Sequence, residues 1–118
     1  MFEKNLRIPC LIDTYGQLLS DRKRELLDYY YNEDYSLSEI SELTGISRQG
    51  VRKSVKKSEA ELLEYEEKLH LYEIKTKLGA SLSEAVDAIE QLEASSDGEI
   101  SSALGVLKSK LAAAAGIL

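Results

Sequence analysis

One cysteine, one histidine, one proline and no tryptophan occur among the 118 residues of this chain. A lone cysteine excludes an intramolecular disulfide. With a lone histidine it also excludes a Cys/His zinc quartet and a Cys-x-x-Cys redox pair. No glycine is followed by lysine, so the phosphate-cradling loop of nucleotide hydrolases is absent as well. These shortages point away from catalysis: neither an enzymatic activity nor a cofactor is expected, and a binding role is. Long apolar runs are equally scarce. The longest, Leu111 to Leu118, has eight residues, against about 20 for a membrane span. Glu3, Lys4 and Arg7 interrupt the stretch up to Ile12, which excludes a signal-peptide core there. The expectation is a cytoplasmic protein without a membrane partner, with Cys10 reduced.

What is present suits a globular domain: 43% apolar and 31% charged residues, enough for a core without disulfide or metal. The net charge of −6 would repel nucleic acid. Its distribution reverses that impression. Arg48, Arg52, Lys53, Lys56 and Lys57 cluster within residues 47–57 without an acid, whereas residues 59–118 carry five lysines against twelve acids. One basic patch on an acidic body suits docking at a defined site. A solvated helix face is the plainer reading of the same charges.

Apolar residues recur at helical spacing with no sustained strand-like alternation, so the fold class is all-α. Leu11, Ile12, Tyr15, Leu18 and Leu19 predict a helix over about 8–19, with Pro9 in its first turn. Ser20 caps a second helix from about Asp21 to Tyr31, with Leu26, Leu27 and Tyr30 inward and Asn32, Glu33 and Asp34 ending it. Ser36 and Glu39 have capping-box spacing. The short helix they start runs through Ile40 and Leu43 to Thr44, and Gly45 supplies the left-handed residue of a C-terminal turn. Ile46 plugs the corner, and Ser47 caps a helix whose Val51 and Val55 face inward. Two helices joined by so short a glycine turn make a helix-turn-helix.

On the second helix Gln49, Arg52, Lys53 and Lys56 fall within an arc of about 100°, opposite Val51 and Val55. The candidate nucleic-acid-binding residues are therefore Ser47, Arg48, Gln49, Arg52, Lys53, Lys56 and Lys57. Arg48 and Gln49 suit base edges and the longer cations suit phosphates. Gly50 implies close approach of the backbone to a neighbouring helix or a phosphate. Such motifs also serve as protein docking modules, so DNA-binding follows less firmly than the fold.

Leu18 to Leu27, Leu37 to Glu42 and Gly45 to Val51 resemble region 4 of sigma factors, which binds the −35 promoter element. Over residues 3–74 the likeness to small YlxM-type bacterial proteins is greater. It is carried by Tyr29-Tyr30-Tyr31, Asp34-Tyr35-Ser36-Leu37, Ser47-Arg48-Gln49 and Glu64-Tyr65-Glu66-Glu67-Lys68-Leu69. The resemblance implies a DNA-binding or regulatory protein associated with the signal recognition particle pathway. Thr44 departs from the apolar residue expected before the glycine, loosening the core, and Lys53 from an expected acid, making the face more basic.

No stop signal intervenes between Ser47 and Gly79, so the recognition helix is expected to run through. Val55, Ser58, Leu62, Tyr65, Leu69, Tyr72 and Thr76 keep 3-4 spacing. Leu62, Tyr65, Leu69 and Tyr72 thus form a stripe for intramolecular packing or for homodimerisation, and both stay open. Leu63, Leu71, Ile74 and Leu78 widen it. Beyond Gly79 a capping box at Ser81 and Glu84 and stripes Leu82, Val86, Ile89, Leu92 and Ile100, Leu104, Leu107, Leu111 predict a helical hairpin turning at 95–98. The expected organisation is 1–57 helix-turn-helix, 58–78 extension and 79–118 hairpin, the hairpin docking on the long helix or a partner. Partners expected are DNA or RNA through the basic helix, components of the signal recognition particle, and a second copy. Two alternatives to direct nucleic-acid binding stand beside this: a regulator contacting the particle GTPase, and a transcription regulator of the sigma region 4 type. Tyr29, Tyr30, Tyr31 and Tyr35 suit core packing more than stacking on RNA bases. His70, Glu64, Glu66 and Glu67 are expected on solvated surface.

Overall fold

A computed structural model describes residues 4–95 and 97–117. The fold is all-α, with no strand among the described residues. Its helices are α1 (Ile8–Tyr15), α2 (Asp21–Leu27), α3 (Leu37–Thr44), α4 (Arg48–Leu69), α5 (Leu71–Ser95) and α6 (Gly98–Ile117). The chain divides into two compact units, the first ending at Tyr72 and the second beginning at Glu73.

In the first unit α4 packs against α1, α2 and α3. Its core joins Ile8, Leu11 and Tyr15 of α1, Leu26 and Leu27 of α2, Leu37 and Ile40 of α3, and Val51, Val55 and Leu62 of α4. Burying these side chains is worth about 1.5–3 kcal/mol each against exposure. The first two helices are shorter than their periodicity predicts. After Tyr15 the chain tightens into a 3-10 turn over Gly16–Leu18, which leaves Leu18 exposed while Leu19 stays buried. α2 begins under its Ser20 cap, whose Oγ accepts from Lys23 N at 3.3 Å. It then widens into one π turn over Asp28–Asn32, closed by Glu33 N donating to the Asp28 carbonyl at 2.9 Å. Tyr30 is buried inside this turn, and Asp34 adopts a left-handed backbone with φ 57°.

The expected uninterrupted helix from Ser47 to Gly79 is broken at His70, which has φ 54°. Neither glycine nor proline marks the break because Tyr15 and Glu66 provide for the backbone there. His70 N still donates to the Glu66 carbonyl and closes α4. Tyr15 Oη accepts from Leu71 N at 3.1 Å, and Glu66 Oε1 accepts from Tyr72 N at 3.0 Å. Two N–H groups that a new helix would leave orphaned thus have partners. Gly79 has no left-handed backbone and lies within α5, so Ser81 and Glu84 are interior residues and not a capping box.

The second unit contains the α5 and α6 stretches. α5 ends at Ser95 and α6 starts at Gly98; residue 96, within the stretch predicted to turn, lies outside the described residues. Asp97 caps α6, its Oδ1 accepting from Ile100 N at 3.0 Å. Lys108 pairs with Glu93 at 2.8 Å. Ile89 alone of the described side chains in this unit is buried. α6 is long and apolar enough, by length and composition, to cross a membrane, although its longest uncharged run is short.

Candidate nucleic-acid interface

The corner between α3 and α4 is held by side chains that satisfy the backbone where the helices stop. Ser36 Oγ accepts from Glu39 N and the Glu39 carboxylate accepts from Ser36 N, both at 3.1 Å, completing the capping box. At the other end Gly45 has φ 76°, and its N–H returns to the Ser41 carbonyl at 2.9 Å. Thr44 does not loosen the core as expected. Its hydroxyl donates to the Ile40 carbonyl at 2.8 Å and accepts from Ile46 N at 3.3 Å. Ser41 Oγ donates to the Ile46 carbonyl at 2.6 Å, so the turn is tied on both sides. Half-buried Ile46 packs on the core as predicted.

Ser47 caps α4, its Oγ accepting from Gly50 N at 3.0 Å. Within the chain the close approach at Gly50 is to this turn and not to a neighbouring helix: a Cβ there would lie 2.9 Å from Ile46 Cγ2 and 3.1 Å from Ser47 Oγ. Arg22 Nη2 donates to the Thr44 carbonyl at 3.3 Å, and Lys23 pairs with Glu61 at 2.8 Å. α2 therefore braces both the corner and the middle of α4. Periodicity carries no signal for these polar braces, because they join residues distant in sequence.

Val51 and Val55 are fully buried; Gln49, Arg52, Lys53, Lys56 and Lys57 lie on the side away from them, Ser47 and Arg48 flank the buried side at the helix start, and all seven are exposed. The seven residues thus share the outer surface of one helix end. No acid occupies the first turn of α4, so the partial positive charge of the helix N-terminus adds to the cations. Among the described residues no carboxylate pairs with Arg48, Lys53 or Lys57.

The apolar stripe predicted further along, which crosses from α4 into the start of α5, turns mostly inward. Leu62 is fully buried, and Tyr65 and Tyr72 pack on the core, Tyr65 lying 5.8 Å from the Tyr15 ring between centroids. Leu69 is about half exposed, at 49%. Glu66, expected on solvated surface, is not there, and neither is Glu59. Glu66 is buried and accepts a 2.6 Å hydrogen bond from Tyr15 Oη; Glu59 is buried and accepts from Tyr31 Oη. Glu64 and Glu67 are exposed, and Lys68 beside Glu64 holds the Glu64 carboxyl below its usual range. Burial, then the Glu66 hydrogen bond, raises the Tyr15 pKa, and burial, then Glu59, raises that of Tyr31. Tyr29, Tyr31 and Tyr35 pack against the core around buried Tyr30, leaving no row of open rings.

A compact α-helical unit with a capped glycine corner and an outward basic helix is a helix-turn-helix protein. The family of YlxM/p13-like helix-turn-helix proteins, UPF0122, matches residues 2–102, and the chain belongs to it. A UPF0122 protein of Clostridium kluyveri is 39% identical over 98 residues, covering 83% of this chain and 88% of its own. One from Oceanobacillus iheyensis is 53% identical over 72 residues, 61% of this chain and 69% of its own. Another, from Halalkalibacterium halodurans, is 43% identical over 90 residues, 74% of this chain and 83% of its own.

Proposed function

We propose that the first unit is a non-catalytic, nucleic-acid-binding regulatory module that docks the N-terminal half of α4 on DNA or RNA. The supporting observation is the joint exposure of Arg48, Gln49, Arg52, Lys53, Lys56 and Lys57 on a helix anchored by buried Val51 and Val55. Arg48 and Gln49, in the first turn beside the Ser47 cap, read bases; the four later cations hold phosphates. The acidic remainder of the chain limits contact to this face. The YlxM-type resemblance extends the proposal to the signal recognition particle pathway in the cytoplasm, with the particle or its RNA as the docking target.

A second reading, regulation of the particle GTPase by protein contact, draws on the surplus of acids over lysines in residues 59–118. Capture of partners by the tagged chain from native lysate, with and without nuclease, separates the two. Enrichment lost with nuclease and lost in the Arg48→Ala/Gln49→Ala/Arg52→Ala variant supports nucleic acid. Enrichment retained in both arms contradicts it and favours protein contact, which then requires a change in GTP turnover by the particle and its receptor when this chain is added.

A further inference from the structure

The α5–α6 unit has an interior too thin for its length. Along α5, Leu82 and Val86 are half-buried and Ile89 is buried, and on α6 Leu104 and Leu111 are half-buried. Beside this strip each helix leaves an apolar edge uncovered. Ile74, Leu78 and Leu92 of α5 fall within about 40° of one another, and Ile100 and Leu107 of α6 within about 20°. All five are 46–55% exposed. A helical hairpin with one buried aliphatic among its described residues is below the size at which one core sustains a fold. Exposed aliphatics gathered on one edge of each helix mark an interaction surface.

We propose that this edge is the dimerisation surface of the protein, closed by the same edge of a second copy into a four-helix arrangement. Charge selects that occupant. α5 carries five acids and two lysines, whereas α6 carries one acid and two lysines. A two-fold axis that sets α6 of one copy beside α5 of the other therefore pairs opposite signs, with Lys110 free of the Glu93 pair that holds Lys108. The uncharged stretch from Leu111 to Ile117, mostly alanine, lets helices approach closely. An anionic lipid surface is a poorer occupant because Glu84, Asp87 and Glu90 are exposed on α5. The dimer surface is thus distinct from the predicted 62–72 stripe, whose Leu62, Tyr65 and Tyr72 are used inside the first unit. The proposal is independent of what the basic face of α4 holds.

Sedimentation equilibrium of the full chain across micromolar concentrations tests it. The expected mass is twice that of one chain. Leu92→Glu/Leu107→Glu raises the dissociation constant on the order of a hundredfold with far-UV helicity kept. Lys110→Glu, at an exposed position, weakens association several-fold at low salt, and Leu69→Glu in the first unit leaves it unchanged. A monomeric wild type, or a dimer broken by Leu69→Glu and indifferent to the other variants, overturns the proposal. So does a wild type that is monomeric in solution but sediments with phosphatidylglycerol/phosphatidylethanolamine vesicles in a Leu92- and Leu107-dependent way, which assigns the edge to lipid.

Discussion

Replacing Tyr15 by Phe removes one oxygen and keeps the ring, so its effect isolates the hydroxyl that ties α1 to the α4–α5 junction. That oxygen donates to buried Glu66 at 2.6 Å and accepts from Leu71 N at 3.1 Å. A hydrogen bond to a charged group contributes about 1.5–3 kcal/mol, and an unsatisfied N–H adds to the loss when buried. Leu71 is about half exposed and its N–H can turn to water, so the first bond dominates. The variant should lose about 2 kcal/mol, or about 8–16 °C in melting temperature for a domain of this size. All seven tyrosines precede Glu73, so near-ultraviolet circular dichroism during urea unfolding follows the first unit alone. Glu66→Gln costs a similar amount, and the double variant costs less than the two single losses together, because the partners share one interaction. A loss below about 0.5 kcal/mol in Tyr15→Phe, or strict additivity in the cycle, would refute the reasoning.

Gly45→Ala should destabilise the first unit by about 1 kcal/mol, since the glycine has φ 76° with open space around its Cβ position and conformation is the whole cost; urea midpoints check it, and an unchanged midpoint contradicts the left-handed corner. Ser58→Ala should raise stability by about 1 kcal/mol in the same assay, because the fully buried Ser58 Oγ has no hydrogen-bond partner among the described residues. Alkaline titration should lower stability. The Tyr15 and Tyr31 pKa values are raised in the folded state, so their contribution is fully present below about pH 10 and declines as pH rises through the folded values. Urea midpoints measured from neutral pH upward follow the decline; Tyr15→Phe and Tyr31→Phe reduce its slope, and a flat wild-type profile contradicts it.

The parts of this fold legible in sequence are those written in local chemistry. Ser36 and Glu39, Gly45, and Ser47 each announce a backbone need within four residues, and the apolar positions Leu26, Leu27, Val51 and Val55 follow from periodicity alone. The His70 break was illegible because its cause lies elsewhere in the chain. Tyr15 and Glu66, distant in sequence, supply the partners that make a left-handed histidine tolerable. The burial of Glu66 was illegible for the same reason: on a helical wheel it is a charge on a polar face, whereas in the fold it, like Glu59, is the acceptor for a tyrosine hydroxyl. The exposure of Gln49, Arg52, Lys53, Lys56 and Lys57 was readable, since Val51 and Val55 fix which side of α4 is inward.

The central claim is that the exposed cations after Ser47 bind phosphate together. It is tested most directly by measuring affinity for double-stranded DNA and for RNA as a function of salt, for the wild type and Arg48→Ala/Gln49→Ala/Arg52→Ala. The account predicts wild-type binding that falls steeply with salt on at least one of the two. In the variant binding should be largely lost, and any that remains on DNA should have a slope shallower by about 0.9, from the one missing phosphate neutralisation at Arg52. Equal affinity and equal slope in the two proteins would contradict it.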